Sequence, residues 1–213
     1  NQAFNFYRVC VTDPTTVVKI NGVVTALPLQ GGFYYEIAQT NQPQMVEADK
    51  PIMVAQYFTS QSSCGNGTIG DPEVIYLSSV EQNISKVIFN SNLLVNPNPP
   101  IINIHCFNVV IPNTGTAISS FKLDGAALPA GSFIVHPQDA NYSYARINTL
   151  ALGQHVIQSD SGFNAIAYGF AAKESYGYND GTNIKDRYHQ IGVTTQVVIE
   201  TKPPVYPNSL FKL

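Results

Sequence analysis

The stretch Asn5-Phe6-Tyr7-Arg8-Val9-Cys10-Val11-Thr12 sorts its side chains by simple alternation. Tyr7, Val9 and Val11 fall on one face, and Phe6, Arg8, Cys10 and Thr12 on the other, which is the period of two of a half-buried strand. Similar short runs recur at 16–20, 33–37, 52–58, 74–77, 86–89, 102–111, 120–123, 142–147, 155–158, 165–170 and 194–200. Most are rich in Val, Ile, Phe and Tyr, residues that fit a pleated, half-buried surface. Turn pairs such as Asn21-Gly22, Gly31-Gly32, Asn66-Gly67 and Asp124-Gly125 punctuate them. No window carries an apolar stripe of helical period over three turns. The pattern predicts an all-β, sandwich-like fold.

Working outward from the first strand, the same order of blocks returns about 100 residues later. Phe4, Tyr7, Val9 and Val11 match Ile104, Phe107, Val109 and Ile111 at an offset of 100. Lys19-Ile20-Asn21-Gly22 matches Lys122-Leu123-Asp124-Gly125 at 103, Leu27-Pro28 matches Leu128-Pro129 at 101, and Gly31-x-Phe33 matches Gly131-x-Phe133 at 100. Met45-Val46-x-x-Asp49 then matches Val156-Ile157-x-x-Asp160, and Tyr57 matches Tyr168, both at 111. The offset changes only in loops, where insertions are tolerated. The expectation is two tandem homologous units, 1–98 and 99–213, joined near Asn96-Pro97-Asn98-Pro99-Pro100, whose prolines cannot donate to a ladder. Pro203-Pro204 reads as an exit segment. Asp49-Lys50-Pro51 and Asp160-Ser161-Gly162 read as paired turns whose carboxylates accept N–H bonds of their own turn.

Composition narrows the function classes. Of 213 residues, 44% are hydrophobic and only 12% charged, against roughly 25% in an average globular chain. That balance excludes disorder. No stretch approaches the roughly 20 apolar residues of a membrane-spanning helix. A net charge of −3 offers no basic face for nucleic acid or anionic lipid. No Gly-x-Ser-x-Gly elbow, His-Glu-x-x-His or phosphate-cradling glycine loop occurs. The expectation is a non-enzyme with no cofactor and no metal.

Few residues invite chemistry. Tyr142-Ser143-Tyr144 and Tyr176-Gly177-Tyr178 put ring pairs on one side of an extended chain, which makes Tyr142, Tyr144, Tyr176 and Tyr178 candidates for stacking a sugar. The competing reading has these rings packed with wet hydroxyls. Cys10, Cys64 and Cys106 lack metal-ligand spacing, and Cys64 is a candidate to bridge to Cys10 or Cys106. The segment 179–186, with Asn179, Asp180, Thr182, Asn183 and Asp186, has the oxygen-rich look of a weak calcium loop without the acids that make one tight. A plain turn competes with it. Asn66, Asn83 and Asn141 open glycosylation sequons, which matter only in a eukaryotic secretory pathway.

Three stretches carry a resemblance to a known family: Val46-Glu47-Ala48-Asp49-Lys50-Pro51-Ile52-Met53-Val54-Ala55-Gln56-Tyr57, Gly70-Asp71-Pro72-Glu73-Val74-Ile75-Tyr76-Leu77, and Ser159-Asp160-Ser161-Gly162-Phe163-Asn164-Ala165-Ile166-Ala167-Tyr168-Gly169-Phe170. They resemble the IgGFc-binding-protein N-terminal domain family, most closely its bacterial branch in large surface-attached or secreted proteins. The likeness runs from about Phe4 to about Asp186. It implies tandem β-rich modules of a multidomain extracellular protein. The expected role is a non-catalytic adhesion, ligand-binding or spacer module, with partners among external proteins or glycans and neighbouring domains of the same parent chain. The alternative is a carbohydrate-binding module attached to a polysaccharide-degrading enzyme.

Overall fold

The computed structural model describes residues 5–60, 69–91, 102, 104–129, 131–148, 150–183 and 209–212. The expected strand at 194–200, the linker at 96–100, Cys64 and Asp186 lie outside these residues.

The first half holds β1 (Asn5–Val11), β2 (Val18–Ile20), β3 (Val23–Val24), β4 (Tyr34–Thr40), β5 (Met45–Ala48), β6 (Ile52–Phe58), β7 (Glu73–Leu77) and β8 (Ile84–Ser91). The second half holds β9 (Ile104–Pro112), a short helix α1 (Ala117–Ser120), β10 (Lys122–Leu123), β11 (Ala126–Ala127), β12 (Ile134–Val135), β13 (Tyr142–Ile147), β14 (Gly153–Ala171) and β15 (Glu174–Asn179), with β16 (Ser209–Lys212) last. The regular structure of the described residues is therefore almost wholly β. All pairings between these strands are antiparallel.

Strand neighbours follow one scheme in both halves. β1 lies between β4 and β6, and β7 flanks β6. β9 lies between β13 and residues 164–170 of β14, which β15 flanks. The hairpin β2–β3 lies beside β5, and β10–β11 beside residues 157–158 of β14. The outer neighbours are exchanged: β16 pairs with β5 in the first half, and β8 pairs with the start of β14 in the second.

Both hairpins turn on residues able to take positive φ, Asn21 (54°) with Gly22 (79°) and Asp124 (52°) with Gly125 (82°). This is the type I′ geometry that Asn-Gly and Asp-Gly favour. The turn expected at Asp160-Ser161-Gly162 is instead a register shift within one continuous strand, β14, between Gln158 and Phe163. Where the first half has Pro51, which lacks an N–H, β14 has Gly162 at φ 75°, so the strand bends without ending. The paired carboxylates reach beyond their own turns. Asp49 accepts from the Val17 N–H at 2.8 Å, and Asp160 accepts from the hydroxyls of Ser120 (2.7 Å) and Thr116. Each fastens its corner to the segment entering the hairpin.

Side-chain alternation divides the apolar residues among three clusters. Tyr7, Val9, Val11, Ile37 and Val54 meet Val18, Val46 and Ala48 in the first half. Phe107, Val109, Ile111, Ala145 and Ala165 meet Phe89, Phe121 and Ile157 in the second. The third cluster, Phe58 and Ile75 with Cys106, Tyr168 and Phe170, joins the halves.

Candidate functional site: a cleft between the halves

Strand β9 shows why the halves meet. Its odd residues Phe107, Val109 and Ile111 enter the core of the second half. Its even residues Cys106, Asn108 and Val110 therefore face the other way. Register adds Tyr168 beside Cys106, Asn164 and Tyr144 beside Val110, and Arg146 beside Asn108 on that same outer face. The sheet β4–β1–β6–β7 closes over it. The Phe58 ring sits 5.4 Å from Tyr168, edge-on, and 5.5 Å from Phe170. β15 admits this contact because Gly177 has no side chain: a Cβ there would stand 2.6 Å from Ile75 Cδ1.

Away from that apolar contact the two faces turn polar and part. The result is a cleft of about 110 Å³, to which both halves contribute. Tyr7 and Gln56, opposite each other on β1 and β6, line it from the first half; Asn108, Tyr144, Arg146 and Asn164 line it from the second. Tyr7 is 6% exposed and Gln56 5%. Among the described residues, neither the Tyr7 hydroxyl nor the Gln56 amide has a protein hydrogen-bond partner. Burying polar groups without partners costs free energy, so such groups turned to a cleft mark capacity for a ligand or water.

The electrostatics are simple. Arg146 lies over the Tyr144 ring, 5.3 Å from its centroid, and among the described residues no carboxylate pairs with it. Burial pushes the Tyr7 phenol up to about 12, with Arg146 pulling weakly the other way, and burial likewise raises Tyr168. Both phenols are therefore protonated donors at neutral pH. Tyr168 spends its proton on Asn108 Oδ1 at 3.1 Å, and Asn164 donates to the Ser79 carbonyl at 2.9 Å. The array can hold hydrogen-bonding groups and one negative charge, without an assembled nucleophile and base.

The four tyrosines read from the sequence separate. Tyr144 lines the cleft, and Tyr142, half-buried, is two residues along the same face of β13. Tyr176 and Tyr178 point to the opposite face of their sheet from Gly177. Their rings stack on each other, with centroids 5.9 Å apart and planes 24° apart. The Tyr176 hydroxyl meets His105 Nδ1 at 3.0 Å, and the Tyr178 hydroxyl donates to the Asn90 carbonyl in β8. Both pack within the molecule. Arg146, Tyr7, Gln56 and Asn108 are the residues sequence reasoning did not single out.

Elsewhere, Cys10 is half-buried and Cys106 buried, both free thiols, and burial raises each, Cys106 to about 11. In the 179–186 segment, Asn179 is turned to hold the end of β7, donating to the Tyr76 carbonyl and Ser78 Oγ. Asp180 is 3% exposed, neither of its carboxyl oxygens has a partner among the described residues, and burial pushes it up to about 8. Among the described residues no group of three His, Cys, Asp or Glu side chains could hold a metal ion. The loop ends of the hairpins differ in chemistry. Asn21 bonds Gln44 (2.9 Å) and the Met45 backbone, whereas Asp124 meets His155 Nδ1 (2.7 Å) and the Val156 backbone. Burial opposes the Asp124 charge, but His155 and the Val156 N–H outweigh it and hold the carboxyl below its ordinary range.

No curated protein sequence and no solved structure was found to match the chain. The family model described as IgGFc binding protein matches residues 1–169, which includes both cleft-forming strands β1 and β9 and most of β14. The chain therefore belongs to the IgGFc binding protein family.

Proposed function

We propose that this chain is a non-catalytic binding module of a large extracellular or cell-surface bacterial protein, acting in adhesion or ligand capture, and that its binding site is the cleft between the halves. The family's name supports a binding role. The observation that carries the site is the cleft itself, which leaves the Tyr7 hydroxyl and the Gln56 amide without partners among the described residues, in a space lined by both halves. In this reading the halves are two copies of one β-sandwich-like unit, 1–98 and 99–213. Support comes from the shared neighbour scheme and the paired Asn-Gly and Asp-Gly turns. The units trade their last strands, β8 and β16, which ties them into one body.

The test is a screen of the purified chain on protein and glycan arrays, immunoglobulin Fc included, beside Arg146→Gln. A signal lost in the variant places binding in the cleft. A signal the variant keeps moves the site elsewhere, and a blank on both arrays favours a spacer. Antibody staining of intact cells of the source organism tests the location: staining only after permeabilisation would refute it. A second reading, a carbohydrate-binding module attached to a polysaccharide-degrading enzyme, gains from the tyrosine and amide lining of the cleft. It predicts retention on a polysaccharide gel.

A further inference from the structure

The two halves supply an internal comparison for Arg146. In the first half, Arg8 on β1 faces Glu36 on β4, and Tyr34 lies beside Cys10. In the second, Asn108 on β9 faces Arg146 on β13, and Tyr144 lies beside Val110. These are the same register positions of the same strand pair. Arg8 is fully committed: its Nε donates to Glu36 at 2.9 Å, and its guanidinium lies between the Tyr34 and Tyr57 rings at 4.9 and 5.0 Å. Arg146 has the tyrosine but, among the described residues, no acid, because Glu36's place is its own and the place facing it is the neutral Asn108. An arginine that lacks its carboxylate and lines a cleft is a receptor for one.

We propose, resting on the cleft as binding site, that it recognises an acidic saccharide: the sugar carboxylate on Arg146, the ring against Tyr144, and the hydroxyls on Gln56, Asn108 and the Tyr7 phenol. Three observations choose this class. One cation suits one carboxylate and not a polyanion such as nucleic acid. The facing walls are sheet faces, and β1 and β9, bonded to neighbours on both edges, present side chains there and not the backbone ladder by which an extended peptide is read. What remains for recognition is side-chain amides and hydroxyls, the groups that match vicinal sugar hydroxyls.

The experiment is a titration of the full chain, followed by calorimetry and by amide NMR shifts of the cleft strands. The probes are D-glucuronate, D-galacturonate, N-acetylneuraminate and their oligomers, with glucose, galactose and a short N-acetylated peptide as comparisons. Acidic sugars should shift the β1, β9 and β13 signals. Arg146→Gln, an exposed substitution, should weaken them about ten- to a hundredfold, the usual worth of a charge-assisted bond. Arg8→Gln on the other face should leave affinity unchanged. Gln56→Leu should also weaken binding, and Arg146→Gln carries the test if that buried variant fails to fold. Neutral sugars that bind as well as acidic ones, or acidic sugars indifferent to Arg146→Gln, would overturn the proposal while leaving the cleft a binding site. So would the peptide alone shifting those signals. If no probe shifts them, the proposal falls, and the array screen beside Arg146→Gln decides the cleft reading separately.

Discussion

Asp180 offers the sharpest quantitative test of the described packing. Its carboxyl is 3% exposed with no partner on either oxygen among the described residues, and burial raises its pKa from 3.8 to about 8. The unfolded chain releases this proton near pH 4, whereas the folded chain keeps it to about pH 8. Between those values the folded state binds more protons, so stability falls as pH rises. At about 1.36 kcal/mol per unit, the shift of about four units amounts to a loss on the order of 5 kcal/mol by pH 8. That is a large share of a typical stability of roughly 5–15 kcal/mol. Asp180→Asn replaces the neutral acid with a neutral amide of the same shape and removes the titration. Urea unfolding of both proteins at pH 5, 6, 7 and 8, followed by far-UV circular dichroism, isolates the effect as a difference. The variant should gain on the wild type by roughly 3 kcal/mol between pH 5 and pH 7. A difference that stays flat would show that Asp180 is ionised in the folded protein, and the reasoning would fail. Calcium added at pH 8 distinguishes the reason: stabilisation of the wild type but not of Asp180→Asn would mean that a cation holds the charge.

Three further outcomes are expected. Asp124→Asn and His155→Gln should each destabilise by about 1–2 kcal/mol, and the double variant, which recreates the Asn21–Gln44 pair, should recover part of the loss; strictly additive urea-unfolding values would refute the equivalence of the two corners. Gly177→Ala should cost about 1–3 kcal/mol by overpacking against Ile75 and Phe58, whereas a thermal midpoint equal to wild type would mean the halves are not pressed together there. Phe58→Ala should cost about 3–5 kcal/mol and raise proteolysis between the halves, and unchanged stability would deny the shared third cluster its role.

Much of the fold is legible from local chemistry. Alternation in 5–12 assigns Tyr7, Val9 and Val11 to one face, and the structure buries all three. Asn21-Gly22 and Asp124-Gly125 turn as such pairs must. Where local signals fail, a longer-range choice decides. The residues 117–120 form a helix too short to show a period. Asp49 and Asp160 match in sequence, yet one precedes a proline and ends a strand, while the other precedes a glycine that only bends it. The exchange of β8 and β16 has no local signature, because a strand's own sequence states which face is apolar and not which edge it will join.

The cleft was hidden for the same reason. Alternation places Tyr142 and Tyr144 on one face of β13 and Tyr176 and Tyr178 on one face of β15, but it treats the faces alike. Whether a face ends against a core, against the other half or in a cleft depends on a contact that Phe58, Ile75 and Gly177 make across the molecule. A comparison of the halves could have found part of the site, since Arg8 and Asn108 stand 100 residues apart in matched strands. The other part needed the register: Glu36 and Arg146 are 110 residues apart, in a region where the connecting loops differ in length. With only 12% of residues charged, a paired arginine in one half and, at the facing position of the other, one without a carboxylate among the described residues is a difference that packing alone does not require. The first half neutralises its cation within the fold; on the proposal above, the second holds its own for a ligand.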